Sequence, residues 1–396
     1  MEKIFFYYKI HKIIGFFENF FYMKIHISVT NDLVTDQRVN KIALSLQKMG
    51  FEVFLIGRLL KKSLPLNRPY SCKRMSLFFK KGFLFYAEYN LRLFFYLMFQ
   101  KTDILLANDL DTLLANFLVS KIKNKKIVYD SHEYFTELPE VFNRKFVRKT
   151  WLFIEKLILP RIKNSYTVCE SIANEYKKKY NINMKVIRNL PNKNYNNEIS
   201  HETKNKISEI KQFSKNKNII IYQGSINIGR GLEEAIKAMK YIDNSILLII
   251  GKGTIYDDLI KLRSKLFLKD KIFFTGILNF EQLHHFTKIA KIGICIEKNI
   301  GMNYYFALPN KLFDYQKAGV PVLSSKLPEI YKIVKTYKVG ISIENHEVKH
   351  IAEKINFMLN NKKKLEIWKK NSLCASKKLN WENEEKILKE IFNSIS

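Results

Sequence analysis

The chain reads as two successive α/β domains, each a parallel sheet covered by helices on both faces. Two observations predict this. Short apolar runs alternate with amphipathic helical stretches from Met23 onward, and strand–helix–strand repetition builds buried parallel sheets. The chain also has 396 residues, too many for one ordinary core and suited to two domains of about 150–200 residues.

In the first series, residues 23–29 (MKIHISV) read as a strand, 36–49 as a helix closed by Gly50, and 51–57 as a second strand. A long apolar helix over 86–100 precedes strands at 103–108 and 125–130, and a helix follows around KTWLFIEKLILP. Residues 165–169 and 184–190 complete this half. The stretch 191–216, rich in Asn, Lys and Ser, reads as the interdomain linker. The second series has strands at 218–224, 245–251, 271–276, 292–297, 320–323 and 339–343, with helices between them. The domain expectation is therefore an extension over 1–22, a first domain over 23–190, the linker, a second domain over 217–375, and a terminal helix over 376–396 that crosses back to the first domain. Ligands of such sheets bind beyond the carboxyl ends of the strands, so two of them face to face would enclose a cleft.

The formal net charge is +31. Residues 1–200 carry 34 Lys/Arg against 17 Asp/Glu, so the excess is spread along the chain and not held in a tail. Three explanations compete: a biased genome, since Lys, Asn and Ile are abundant together; an anionic membrane surface, at about 1 kcal/mol per suitably placed cation; and nucleic acid. No zinc-finger spacing, RNP-like motif or basic zipper accompanies the charge, which argues against nucleic acid. Cys72, Cys169, Cys295 and Cys374 are scattered without CxxC spacing, as in a reduced, cytoplasmic protein. Residues 1–22 are aromatic and basic, too broken by charge for a spanning helix. They read either as an interfacial amphipathic segment or as sequence preceding a true start at Met23. Residues 76–101 mix aromatics with Lys80, Lys81 and Arg92. Such a face suits lipid headgroups, though part of it must pack on the first sheet.

The most informative segment is Ala307 to Leu323, ALPNKLFDYQKAGVPVL. Pro309 suits the first turn of a helix, Gly319 ends it, and a β-branched strand follows. A helix start is an anion site. Asn310 and Lys311 stand there, and Asp314, one turn further in, can hold a ribose hydroxyl. The competing reading is a cap with a solvated Asp. YQGSINIGRGLEEAIKAM opens the second domain with Gly224, Ser225, Gly229 and Gly231 around Arg230. Glycines let the backbone approach a ligand, and Arg offers a fork of donors to phosphate; the plainer account is a tight strand-to-helix connection. Gly251 lies in a weaker turn of the same kind.

In the first domain, Asn31 and Asp32 follow the opening strand, and Asn108, Asp109 and Asp111 follow another. Asp36 and Asp111 read best as cap and turn residues. YDSHEYFTELPE places His132 and Glu133 just after a strand. His132 can donate to a sugar hydroxyl or a phosphate. A lone histidine is more often structural, and Glu133 can equally be a solvated loop carboxylate.

These elements and motifs together resemble retaining glycosyltransferase family 4, with its GT-B fold of two Rossmann-like domains. The resemblance spans nearly all of Met23 to Ser396 and is strongest in the second domain. That family carries a Gly-rich loop with a basic residue, then a pair of glutamates with seven residues between them, which fall here on Phe306 and Asp314. Phe306 is not an acid, so the position that usually touches the donor sugar departs from the pattern. The Pro309-Asn310-Lys311 run is similar to that of bacterial surface-polysaccharide transferases. By resemblance, Arg230 and Lys311 hold the donor diphosphate and Asp314 the ribose, and His132 orients the donor sugar. Gly224, Ser225, Gly229, Gly231, Gly251 and Asn310 line the donor site, while Asn31, Asp32, Asn108, Asp109 and Glu133 serve the acceptor side.

The implied function is transfer of a sugar from a nucleotide-diphosphate donor to an acceptor hydroxyl with retained configuration, in polysaccharide, lipopolysaccharide or glycolipid assembly. It would be cytoplasmic or peripheral on the inner face of the plasma membrane, and would need neither cofactor nor divalent metal. A sugar-nucleotide 2-epimerase of the same architecture and a non-catalytic membrane- or partner-binding relative are the alternatives.

Overall fold

The computed structural model describes residues 23–34, 36–194 and 198–395. The extension at 1–22 lies outside the described residues. The first series runs β1 (Lys24–Asp32), α1 (Gln37–Lys48), β2 (Glu52–Arg58), β3 (Ser71–Met75), α2 (Gly82–Phe99), β4 (Ile104–Asn108), α3 (Leu110–Ile122) and β5 (Lys126–Ser131). It continues through α4 (Pro139–Phe142), α5 (Lys145–Ile158), β6 (Asn164–Thr167), α6 (Glu170–Tyr180) and β7 (Lys185–Val186). The strands form one sheet of order β3-β2-β1-β4-β5-β6-β7.

The second series runs α7 (His201–Ser214), β8 (Asn218–Gln223), α8 (Leu232–Ala238), β9 (Ser245–Ile250), α9 (Tyr256–Lys265), β10 (Ile272–Gly276), α10 (Leu283–Thr287) and β11 (Ile292–Cys295). Next come α11 (Met302–Tyr305), α12 (Asn310–Ala318), β12 (Val322–Ser324), α13 (Pro328–Tyr337), β13 (Gly340–Ser342), α14 (Val348–Asn360), α15 (Lys362–Ser376) and α16 (Trp381–Asn393). Its six strands are ordered β10-β9-β8-β11-β12-β13. The predicted class is therefore the observed one: two doubly covered parallel sheets.

Core formation in the second sheet follows the pleat. Ile220, Tyr222, Leu247 and Ile249 pack into one core with α8 and α14, while Ile219, Ile221, Ile246 and Leu248 pack into another with α12 and α13. Successive residues point to opposite faces and both faces are covered, so the strands read as unbroken apolar runs. On the first sheet, α2 lays Phe85, Tyr89, Leu93 and Leu97, at four-residue spacing, on Ile56 and Leu105.

By compactness the described chain divides into two units. One holds the residues to Asp130, Arg161–Asn164 and the chain from Ile391 on; the other holds Ser131–Pro160 and Ser165–Glu390. In the first unit the chain end is anchored by Phe392, edge-on to Phe51, and by the Ile395 carbonyl, which accepts from the Lys126 ammonium.

Several boundaries differ from the sequence reading. β3 was not anticipated, because SCKRM is polar and mostly exposed at the sheet edge. The polar stretch 191–216 contains a full helix, α7, started by the Ser200 hydroxyl on the Thr203 amide and tied down by Ile210 in the core. Its apolar residues at 207, 210 and 213 were the missed signal. The apolar helix α2 starts at Gly82, four residues before the expected Tyr86. In residues 184–190 only Lys185–Val186 is strand. Pro309 stands at the N-cap of α12 with extended backbone, just outside the first turn.

Candidate active site

The second unit gathers the charged residues of the second domain around the end of β8. The chain leaves β8 at Gln223, turns at an exposed Gly224 and re-enters a helix at Gly231, the left-handed N-cap of α8. A Cβ at Gly231 would sit 2.3 Å from the Ile296 carbonyl oxygen, so the loop lies directly on the end of β11. That approach brings Arg230 to the acid that follows β11.

This acid is Glu297, fully buried. One of its carboxylate oxygens accepts from Lys311 Nζ at 2.6 Å and lies 3.8 Å from the Arg230 guanidinium. The other accepts from the Cys295 thiol at 3.2 Å. Lys311 reaches inward from the first turn of α12, with its ammonium 4.2 Å from the Tyr222 ring centroid, and its stem passes beside Gly224, where an added Cβ would stand 3.5 Å from Cε. The Arg230 guanidinium also stacks 5.1 Å from the Tyr304 ring. Burial alone pushes the Glu297 carboxyl up, but Lys311 and then Arg230 outweigh it and hold the group below its ordinary value. For Lys311 burial pulls down, and Glu297 more than compensates, so the ammonium is held above its usual range. Burial raises the Cys295 thiol, and Glu297 raises it further.

Asp314 lies one turn beyond Lys311, half-buried, and accepts from Gln223 Nε2 at 3.0 Å. Gln223 in turn accepts from the Thr287 hydroxyl at 2.7 Å. β8, α10 and α12 thus share one polar chain, which sets the orientation of the Asp314 carboxylate. Asn310, four positions before Asp314, and Ser225, two after Gln223, are exposed, and the Ser225 carbonyl accepts from the Tyr222 hydroxyl. Gly251 has a packing reason for its missing side chain: a Cβ there would come 2.0 Å from the Gly224 carbonyl. Gly229, also at positive φ, has side-chain atoms of Ile300 and Tyr304 as the nearest neighbours of an added Cβ.

Residues 37–192 match the family described as Glycosyltransferase Family 4, and residues 203–373 match Glycosyl transferases group 1. The chain is a glycosyltransferase of the family-4 type. Solved structures agree with its GT-B fold. A sucrose-phosphate synthase from Thermosynechococcus elongatus superposes with a TM-score of 0.76 at 15% identity, over 94% of this chain and 99% of that one. Anabaena Alr3699/HepE in complex with UDP gives 0.70 at 15% identity, over 94% and 100%. WaaG, described as a glycosyltransferase involved in lipopolysaccharide biosynthesis, gives 0.67 at 13% identity, over 93% and 99%. No curated protein matches the chain by sequence.

In this glycosyltransferase the expected acid pair is not formed. Phe306 is a buried side chain whose carbonyl accepts from the Cys169 thiol at 3.4 Å. The acid that meets the cations is Glu297, nine positions earlier, at the end of the strand expected over 292–297. Its signal was the charged residue closing the apolar run IGICI.

His132 sits half-buried in the bend after β5, in the same compact unit as Arg230 and Lys311. Beside it Glu133 is exposed and accepts from Asn303 Nδ2 at 3.2 Å, while the Tyr134 amide donates to Asn303 Oδ1 at 2.9 Å. One asparagine of α11 therefore clamps the His132 bend through both ends of its amide.

The remaining positions lie in the first unit, at the carboxyl ends of the adjacent strands β1 and β4. Asp32 accepts from the Val34 amide and the Ser63 hydroxyl, and Asn31 donates to Asp36. Asp36 caps α1 through the Val39 amide, as its sequence reading favoured. Asn108 is fully buried and donates to the Ser28 carbonyl at 3.0 Å, a bond that ties β4 to β1. That bond uses the Asn108 side-chain amide inside the sheet. Asp111 accepts from the Thr30 hydroxyl. Asp109 has φ of 58° at the N-cap of α3, an uncommon conformation for a residue with a side chain. Arg38, which no motif in the sequence marks, grips Asp130 with its guanidinium in a buried two-pronged pair at 3.1 and 2.7 Å.

Proposed function

We propose that this glycosyltransferase moves a sugar from a nucleotide-diphosphate donor to an acceptor hydroxyl with retention of anomeric configuration, in the assembly of a bacterial surface polysaccharide, lipopolysaccharide or glycolipid. The observation that carries the reading is the pair of cations, Arg230 and Lys311, drawn together by Glu297, with the Lys311 stem beside the bare backbone of Gly224. Charge develops on the departing diphosphate during transfer, and fixed cations and helix N–H groups stabilise such charge most when it peaks. Asp314, held by Gln223, is assigned to the ribose, and His132 to the donor sugar. Asn31, Asp32, Asp109 and Glu133 are assigned to the acceptor side. The leaving phosphate would assist the incoming hydroxyl on the same face, a route that needs no pair of carboxylates, no cofactor and no divalent metal.

Similar structures support the donor class: Anabaena Alr3699/HepE was solved with UDP and with UDP-glucose. The description of WaaG supports the surface-saccharide context. A place on the inner face of the plasma membrane is supported by α2. Phe83, Phe95 and Phe99 are exposed on it, and Phe78 and Phe79 precede it beside Lys80 and Lys81. Among the described residues no helix is long and apolar enough to cross a membrane, so α2 would lie on anionic headgroups.

The test is a melting screen against UDP, GDP, CMP and ADP sugars, since a ligand that binds the folded state raises its melting point. One nucleotide class should stabilise the protein, and product from that donor should keep the donor's anomeric configuration by NMR. No shift with any donor, or an inverted product, would reject the proposal. Conversion of the donor to its 2-epimer without acceptor would favour the epimerase instead. Sedimentation with vesicles of anionic lipid, lost in a Phe83→Ser/Phe99→Ser variant, tests the membrane contact.

A further inference from the structure

We infer that Glu297 is a positioning residue for the donor site: its buried carboxylate holds the Lys311 ammonium and the Arg230 guanidinium together at the end of β8 and the loop after it, ready for the donor's diphosphate. The inference rests on the donor-site reading above and adds the acid that organises its cations.

Three observations carry it. The geometry is specific, because a single carboxylate oxygen faces both cations, at 2.6 and 3.8 Å, while the second oxygen is occupied by the Cys295 thiol. The exposure is graded. Glu297 is fully buried, the Lys311 side chain is 6% exposed and the Arg230 side chain 23%, so the cluster opens outward through its cations. The placement is also costly as a device for stability alone. A buried ion pair seldom outperforms apolar residues of the same volume, and β11 is otherwise an apolar strand. Two like charges brought this close repel, and one carboxylate between them removes most of that repulsion. The cluster keeps a net charge of +1, which still favours an arriving anion. Neither the resemblance nor the matched motifs assign a residue to this task.

The groups facing Lys311 set how it responds when Glu297 is changed. They are Glu297 and Cys295 from β11 and its end, Tyr222 from β8, and Arg230 from the loop into α8. Without the carboxylate, burial and Arg230 both favour the neutral amine. The lysine then gives up its proton at a lower pH than in the native protein, and anion binding falls as pH rises.

The experiment uses the full chain and UDP as the probe, with binding measured by calorimetry at neutral and at alkaline pH, always relative to the unaltered protein at the same pH. Lys311→Met should weaken UDP by roughly tenfold or more at both pH values. Glu297→Gln should weaken it at neutral pH and much further at alkaline pH. Glu297→Asp keeps the charge but withdraws it by one methylene, so it should weaken UDP without the added loss at alkaline pH. It also serves if Glu297→Gln fails to fold, and then unaltered UDP binding in Glu297→Asp overturns the inference. A folded Glu297→Gln protein with unaltered affinity and a flat pH profile overturns it as well, leaving the donor-site reading intact if Lys311→Met still binds poorly. If Lys311→Met binds UDP like the unaltered protein, the donor-site reading itself falls.

Discussion

Gly229 and Gly231 flank Arg230 in one loop, and replacing each by alanine separates two physical costs. Both have positive φ, 83° and 71°, so either alanine incurs roughly 1–2 kcal/mol of left-handed backbone strain. Their surroundings differ. The new Cβ at 229 meets side-chain atoms first: Ile300 Cδ1 at 2.7 Å, the far end of an exposed side chain that can rotate away, and Tyr304 Cε1 at 3.0 Å, which must give by a few tenths of an ångström. The new Cβ at 231 meets the Ile296 carbonyl oxygen at 2.3 Å, and that oxygen belongs to the backbone beside Glu297. Backbone cannot step aside cheaply, and forced overpacking adds about 1–3 kcal/mol. Gly229→Ala should therefore cost about 1–2 kcal/mol and Gly231→Ala about 2–5 kcal/mol. Urea unfolding followed by fluorescence and circular dichroism gives both values, and an unchanged slope assures that the unfolded states are comparable. Gly231→Ala should also lower turnover more than its stability explains, because displacing Ile296 shifts Glu297 and with it Arg230. Equal costs at the two sites, or a smaller cost at 231, would refute the claim that the loop rests directly on β11.

Arg230→Ala and Lys311→Ala should each cut kcat by roughly two to three orders of magnitude under saturating donor; unchanged rates in folded variants would reject their phosphate roles. Asp314→Ala should chiefly raise the donor's KM, and a constant KM would reject the ribose assignment. Acid should destabilise the first unit through His26, which is buried against the Phe54 ring. Burial first, then Lys123 and Lys24, lowers its pKa from 6.5 to about 4. The unfolded chain binds the proton more tightly, so stability is full above 6.5 and falls by up to about 3 kcal/mol as pH drops to about 4. Among the described residues neither ring nitrogen has a hydrogen-bond partner, so His26→Phe should keep the stack, lose none of these bonds and flatten this acid limb in melting curves. An equally steep limb in the variant would show that other groups govern it.

The legibility of the molecule follows from how local each signal is. Apolar runs such as SILLII and IIIY announced central strands, because a parallel strand buried on both faces needs apolar residues without a break. SCKRM announced nothing, since an edge strand has little to bury. Lys311, Asp314 and the glycine loop could be picked out, because a helix start, a cap and a tight turn are short-range patterns with physical causes. Asn108 looked like a polar residue at a strand end and proved to be a bond inside the sheet, a difference decided by Ser28, 80 positions away.

The order of residues alone determined the two sheets, the helices over them and the cations of the second domain, all of which depend on patterns within a few tens of residues. Only the folded chain decided which acid those cations meet. Glu297, Lys311 and Arg230 come from a strand end, a helix start and a loop that share no spacing rule, and they adjoin because β8 and β11 are neighbours in the sheet. A buried carboxylate is tolerable only beside its cations, so the fold that brings the three together is also what keeps the acid ionised.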